Sequence, residues 1–211
     1  MRRAFVFDQE KCMGCNTCTV ACKDWNQVRP GPVRWRIQNT HESNMAPYFF
    51  PLAMSCNHCE NPACVTACGA GAITKRPNDG VVYVDRDKCI GLTSCISACP
   101  FAEPKIADSI QEPQRYEGWQ IDHPMQKCDF CMERVDKGQN PVCVDSCPAH
   151  ALEMGDYDYL IAKYAAKTPS VTLVQLSQTD FPYAYANNTT DTGPSLLIKK
   201  RGGLDVVKAV K

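Results

Sequence analysis

"CMGCNTCTVAC", residues 12–22, sets Cys12, Cys15, Cys18 and Cys22 in one short stretch with the spacing C-x2-C-x2-C-x3-C. Altered forms recur three times downstream. "CNHCENPACVTAC" carries Cys56, Cys59, Cys64 and Cys68; "CIGLTSCISACP" carries Cys89, Cys95 and Cys99; "CDFCMERVDKGQNPVCVDSCP" carries Cys128, Cys131, Cys143 and Cys147. These runs account for all 15 cysteines of the chain. An internal repeat of this kind decides architecture before any single element is read. Every run ends C-x3-C, and Cys99 and Cys147 are each followed by proline. The third run alone lacks a member: where the first has Cys15, it has Leu92.

The rest of the composition is quiet. The 211 residues are enough for one or two domains. Net charge is zero, from 23 basic and 23 acidic residues, which gives no argument for nucleic acid or an anionic lipid face. No apolar run approaches the ~20 residues that span a bilayer. "MRRAFVFDQEKC" has two arginines but no apolar h-region or cleavage site, so it reads as neither a secretory nor a twin-arginine signal.

Three chemistries use cysteine at this density: disulfides, zinc and iron–sulfur clusters. An odd count speaks against a fully paired disulfide framework, and a chain of this length does not need staples. Zinc ribbons also use C-x2-C pairs, but they rarely add the third cysteine of C-x2-C-x2-C. C-x2-C-x2-C-x3-C-P is the bacterial ferredoxin spacing, in which the last cysteine ligates the other cluster of a pair. The tight loop lets three thiolates converge. A short helix then carries the last cysteine toward a neighbouring site, and Pro100 and Pro148 end such helices.

Over residues 4–155 the chain resembles the four-cluster, ferredoxin-like electron-transfer subunits of molybdopterin oxidoreductases of the dimethyl sulfoxide reductase type. "CNHCENPACV", "DGVVYVDRDKCIG", "KCDFCMERVDKGQNPVCVDSCP" and the "AL" after it carry the likeness. Two residues depart from that pattern: Gly69 follows Cys68 where proline is common, and Leu92 takes a cysteine position. The resemblance implies an α+β fold of two pseudo-symmetric bacterial-ferredoxin-like modules, one inserted in the other. Residues 1–48 and 106–155 would be the halves of the outer module, 49–105 the inserted one, and 156–211 a C-terminal extension that covers the modules or grips a partner.

In that family the first run pairs with the fourth and the second with the third. Carried over, Cys12, Cys15, Cys18 and Cys147 hold cluster 1. Cys22, Cys128, Cys131 and Cys143 hold cluster 2, and Cys56, Cys59, Cys64 and Cys99 hold cluster 3. Cys68, Cys89 and Cys95 hold cluster 4, with Leu92 at its vacant corner. Leucine has no lone pair for iron. The expectation is three [4Fe-4S] clusters and one [3Fe-4S] cluster, or a fourth [4Fe-4S] with a non-cysteine ligand.

The function implied is a relay of single electrons between a large molybdenum or tungsten bis-pterin catalytic subunit and a membrane-anchor subunit or soluble carrier. An electron-transfer subunit of a formate dehydrogenase, hydrogenase or non-respiratory molybdenum enzyme is the alternative within the class. A zinc-stabilised interaction protein is the alternative outside it. No phosphate loop, nucleophile elbow or carboxylate pair suggests that the chain transforms a substrate itself. The location expected is soluble or peripheral, in the cytoplasm or, by co-export with a partner, the periplasm.

Local patterns place the runs. Ala4–Phe7 reads as a strand, "AITKRPNDGVVYVD" as a hairpin about Asn78-Asp79-Gly80, and "ALEMGD" as a returning strand. "ACVTAC", "TSCISAC" and "PVCVDSC" read as short helices. "YDYLIAKYAAK" has Tyr157, Leu160, Ile161 and Tyr164 at helical spacing, while "SVTLVQL" and "PSLLIKK" read as strands. This leaves little core beyond the clusters. His41, His58, His123 and His150 read as polar loop residues, with His58 and His150 near enough to cysteines to donate hydrogen bonds. Lys127 is either a charge beside Cys128 or a solvated side chain; Trp25, Trp35 and Trp119 read as core or interface anchors. Asn188 opens a glycosylation sequon by pattern alone.

Overall fold

The strand that organises the molecule is β1 (Arg3–Asp8), buried from Ala4 onward. In this computed structural model, which describes residues 1–43, 49–166, 173–176, 192–200 and 207–209, β1 lies inside a sheet of order β6-β1-β8-β7. Here β6 is Leu152–Asp156, β7 Leu173–Gln175 and β8 Leu196–Lys199. β6 runs antiparallel to β1, with Phe5 opposite Met154, and β8 runs parallel, with Phe5 opposite Leu196. Alternation along β1 splits the core in two. Phe5 and Phe7 join Leu52, Phe130, Leu152 and Ile198 on the face that meets the cysteines. Ala4 and Val6 join Leu160 and Leu197 on the other, under helix α6 (Tyr157–Ala165). The apolar core is therefore more substantial than the cysteine runs suggest.

The remaining elements hold the runs. Helix α1 (Thr17–Trp25) carries Cys18 and Cys22 one turn apart, both buried. β2 (Arg36–Ser43) pairs with β3 (Phe49–Ser55), and β2 also pairs with β9 (Val207–Ala209). α2 (Ala63–Thr66) and α3 (Ser94–Ala98) carry the ends of the second and third runs. β4 (Ile73–Lys75) and β5 (Val82–Val84) form the expected hairpin, with Gly80 at φ 76° in its loop. α4 (Met132–Val135) and α5 (Val142–Asp145) lie within the fourth run.

In α6, Leu160 is fully buried and Tyr157 and Tyr164 pack beside it, but Ile161 is exposed. The expected strand in "SVTLVQL" is seen at Leu173–Gln175; Asn188 lies outside the described residues. Among the described residues no helix is long and apolar enough to cross a membrane.

Candidate iron–sulfur centres

Each cysteine loop turns at the same place. The residue two after the first cysteine has a left-handed backbone in all four runs: Gly14 at φ 74°, His58 at 41°, Gly91 at 76° and Phe130 at 66°. Left-handed residues in short turns can form concave arrays of backbone amides, an arrangement that suits an anionic cluster. Glycine reaches this conformation at no steric cost, while histidine and phenylalanine do so against strain that surrounding packing must hold. Phe130 stacks on Phe5 with ring centroids 4.2 Å apart, and His58 meets the Phe130 ring edge at 5.1 Å.

The helices that follow start in two ways. Asn16 (φ 62°) and Thr93 (φ 60°) precede α1 and α3, whereas Pro62 and Pro141 precede α2 and α5. Cys99 stands just past α3 in an extended conformation, φ −81° and ψ 119°, as a residue before proline should.

These turns bring the cysteines into groups. One cavity is lined by Cys12, Cys15, Cys18 and Cys147, with Phe7 and Gln38. A second is lined by Cys56, Cys59, Cys64 and Cys99, with Glu103 and Lys127. A third is lined by Cys68, Cys89 and Cys95, with Leu92, Ile90 and Ile106. Cys22 lies close enough to Cys143 and Cys131 to feel their charge, and Cys128 close enough to feel that of Cys22. All fifteen cysteines are free thiols.

The electrostatics of these groups ask for a cation. Burial pushes the Cys22 and Cys59 thiols up to about 12, and the Cys99 and Cys131 thiols to about 11. Cys15 alone is shifted downward, because the Thr17 hydroxyl lies 3.3 Å from its sulfur. Thiolates held this far from water need metal to form, so loading such a site releases protons.

Polar groups already point at the sulfurs. The Ala151 amide donates to Cys147 Sγ at 3.3 Å and the Met125 amide to Cys89 Sγ at 3.4 Å. Thr192 Oγ1 reaches Cys59 Sγ at 3.2 Å, and Asn26 Nδ2 reaches Cys22 Sγ at 3.5 Å. His58 Nε2 and Arg36 Nε are buried donors without a partner among the described residues, and Glu103 Oε2 is likewise unpartnered. A soft thiolate set with donors aimed at sulfur fits iron–sulfur clusters.

Several of these residues carry no sequence signal. Thr192 is 133 positions from Cys59, and Arg36 sits in an unremarkable polar stretch. Arg36 is 1% exposed, with its guanidinium 4.6 Å from the Phe5 ring centre. It donates to Ala53 O at 3.4 Å and to Cys143 Sγ at 3.5 Å.

Lys127 is also buried, donating to Val82 O and, at 2.8 Å, to Cys128 O; the reading of a solvated side chain is corrected. His58 is no polar loop residue either. It is buried, and its Nδ1 accepts from the Val82 amide at 3.0 Å, which leaves the ring neutral, in line with burial shifting it well downward. His41 is buried beside Phe50, with rings 5.8 Å apart, whereas His150 is exposed. Among the tryptophans, Trp119 is buried, Trp35 half-buried and Trp25 exposed.

The two departures from the family pattern touch. A Cβ on Gly69 would stand 3.4 Å from Leu92 Cδ1, so Leu92 lies over the glycine at the mouth of the third cavity.

Buried thiols on ferredoxin-like turns, with donors aimed at sulfur, define an iron–sulfur protein of mixed α+β build. Comparison with known proteins gives the family. Residues 45–157 match the 4Fe-4S dicluster domain. One of the chains of the anaerobic dimethyl sulfoxide reductase of Escherichia coli is 38% identical over 171 residues, 76% of each sequence. The thiosulfate reductase electron transfer subunit of Salmonella typhi is 39% identical, over 72% of this chain and 75% of its own. A Halobacterium salinarum protein, proposed as a dimethyl sulfoxide reductase iron-sulfur subunit, is 32% identical, over 92% of this chain and 82% of its own. The chain belongs to the 4Fe-4S dicluster family of iron–sulfur subunits of the dimethyl sulfoxide reductase type.

Proposed function

We propose that the chain is the electron-transfer subunit of a molybdopterin oxidoreductase, relaying single electrons through four clusters. The observation that carries this reading is the composition of the cavities: three cysteines from one run are joined by one from another. Cluster 1 would be held by Cys12, Cys15, Cys18 and Cys147, and cluster 2 by Cys22, Cys128, Cys131 and Cys143. Cluster 3 would be held by Cys56, Cys59, Cys64 and Cys99, and cluster 4 by Cys68, Cys89 and Cys95. When bound, such clusters supply one-electron redox chemistry at potentials set by charge, hydrogen bonds and burial. The chain's part is to fix the thiols, exclude water with Phe5, Phe7 and Phe130, and direct donors at the sulfurs.

The fourth site would hold a [3Fe-4S] cluster. Leu92 offers no ligand, and the cavity around it is lined largely by apolar side chains such as Ile90 and Ile106, while the Ser94 hydroxyl donates to Ala67 O.

The module arrangement draws support from the pairing of β1 with β6, which joins the two ends of the cysteine-bearing stretch. Further support comes from the helix starts: each proposed module has one left-handed start, Asn16 or Thr93, and one proline start, Pro141 or Pro62. In the C-terminal extension, β8 adds to the sheet of the outer module, so part of it would cover that module.

The relatives are named as chains or electron transfer subunits of reductases, which supports a catalytic partner subunit. The family resemblance implies that this partner is a large molybdopterin subunit, with a membrane anchor or soluble carrier at the far end. The chain would then be peripheral, on a side of the membrane set by that partner.

Iron and acid-labile sulfide analysis of the anaerobically purified chain tests this directly. Fifteen iron atoms per chain are expected for three four-iron sites and one three-iron site. Zinc without sulfide would end the reading in favour of an interaction protein. In Cys147→Ser, loss of one cluster and of electron flow to the co-purifying subunit is the second expected result; full flow would overturn the assignment.

A further inference from the structure

Arg36 and Lys127 are the two buried lysine or arginine residues among the described residues, each 1% exposed. A buried cation is costly unless compensated, and neither makes an ion pair with a carboxylate among the described residues. Their hydrogen bonds go to carbonyls and to sulfur. Two carboxyls stand within electrostatic reach, Glu103 of both cations and Asp129 of Lys127, but neither makes an ion pair with them among the described residues. The cysteines are the partners in contact: Arg36 donates to Cys143 Sγ, and cysteines dominate the surroundings of both cations.

Their positions are not interchangeable. Arg36 donates to Cys143 Sγ at 3.5 Å and stands within electrostatic reach of Cys128, Cys18 and Cys22. Cys18 belongs to the proposed first site; the other three belong to the second. Lys127 lines the cavity of the proposed third site and stands within reach of Cys56 and Cys64, while also facing Cys128 of the second. Each cation therefore straddles a boundary between consecutive sites. The fourth site is different: Cys68, Cys89 and Cys95 are surrounded by Ala72, Ile73, Val84 and Met125, and no buried cation among the described residues faces them.

We propose that Arg36 and Lys127 are fixed counter-charges at two of the three junctions of the relay, Arg36 shared by sites 1 and 2 and Lys127 by sites 2 and 3. The proposal rests on the cluster reading above. Reducing a site adds one negative charge, and a cation within a few ångströms in a water-poor interior favours that charge. A cation shared by two sites favours the electron on either side of the junction. It eases the electron's arrival without trapping it: the electron one site loses is the one its neighbour gains. Site 4, without such a cation, depends on its own cluster type and apolar rim for its potential.

The test is potentiometric titration followed by EPR on the iron-loaded chain, purified with its bound subunits. Arg36→Gln should lower the potentials of sites 1 and 2, and Lys127→Gln those of sites 2 and 3. The expected change is on the order of tenfold in the equilibrium constant for reduction, which is about 59 mV for one electron. Site 4 should not move in either variant. Arg36→Lys keeps the charge and should hold the potentials near their original values.

Iron and sulfide counts separate the two readings. Full iron with unchanged potentials in both neutral variants overturns this proposal and leaves the cluster assignment standing; absent iron in the original chain overturns the assignment. If Arg36→Gln loses iron that Arg36→Lys retains, the charge itself is required, as proposed. If both lose it, Arg36 acts through packing and hydrogen-bond geometry, and the proposal fails.

Discussion

The turns Cys12–Asn16 and Cys89–Thr93 share two left-handed backbone positions and differ at the position that matters for metal. Gly14 and Gly91 sit at φ 74° and 76°, and Asn16 and Thr93 at φ 62° and 60° with ψ near zero. Between each pair stands Cys15 in one loop and Leu92 in the other, both exposed. The turn is thus set by the left-handed residues, not by the ligand between them. A loop folded this way can exchange its second thiol for an apolar side chain without losing shape. Its environment has followed: Cys15 lies near Gln38 and Thr17, while Leu92, 60% exposed, lies among Ile90, Ile106 and Gly69.

Exchanging the two side chains tests this equivalence most severely. Cys15→Leu should leave Cys12, Cys18 and Cys147 as the only thiols at the first site, with the turn intact. Iron content should fall by about one atom per chain, and a new three-iron EPR signal should appear in the oxidised protein. Leu92→Cys should do the reverse: one more iron, with the three-iron signal expected of the original chain replaced by that of a reduced four-iron cluster. Unchanged iron in Leu92→Cys would break the comparison: either the third loop cannot aim a thiol inward or its site already holds four irons. Removal of iron altogether should lower thermal stability of both loops, because ligand binding and folding are coupled at such sites.

The glycines give a smaller, graded effect. Alanine in the left-handed region costs roughly 1–2 kcal/mol. At Gly14 a Cβ would meet nothing nearer than Gln38 at 3.7 Å, so Gly14→Ala should cost about that backbone term alone. At Gly91 the Cβ would stand 3.0 Å from Ile121 Cδ1, closer than ordinary contact. Gly91→Ala should therefore be the more damaging, by a further ~0.5–1 kcal/mol as Ile121 leaves its rotamer. Denaturant midpoints of the two variants, compared at equal iron content, check the order.

Much of this was legible because cysteine spacing and helix–turn chemistry are local. The Asn78-Asp79-Gly80 hairpin, the short C-x3-C helices and the strand at β6 all follow from residues within one segment. β2 was not legible, and its sequence explains why. Its inward positions are Arg36, Gln38 and His41, while Asn39 and Thr40 face solvent. A period-two reading looks for apolar residues inside and finds polar ones on both faces. Arg36 is interior because it meets a thiol and the Phe5 ring, Gln38 because it lines the first cysteine cavity, and His41 because it packs on Phe50, surroundings that tertiary structure brings to them. Lys127 and His58 escaped for the same reason: burial of a charged or titratable side chain depends on distant partners, here Val82 and Phe130. Phe130 took a left-handed turn position for which sequence rules prefer glycine.

The smallest effects should come from the aspartates that cap the segments flanking the two loops. Asp156 precedes α6, and its Oδ1 accepts from the Asp158 and Tyr159 amides at 3.1 and 3.2 Å, while its Oδ2 accepts from the Arg2 amide. It fastens the helix that covers the β1 face behind the first loop. Asp156→Ala should cost about 1 kcal/mol, the usual worth of an N-cap. Asp85 does the corresponding work ahead of Cys89, accepting from the Asp87 amide at 3.2 Å, but it caps only the 3-10 turn Arg86–Lys88 and is braced by an exposed pair with Lys88. Surface pairs contribute little, so Asp85→Ala should cost less than ~0.5 kcal/mol. If it cost as much as Asp156→Ala, the third loop would depend on its entry turn rather than on Gly91 and Thr93. Its likeness to the first loop would then be a matter of shape without shared cause.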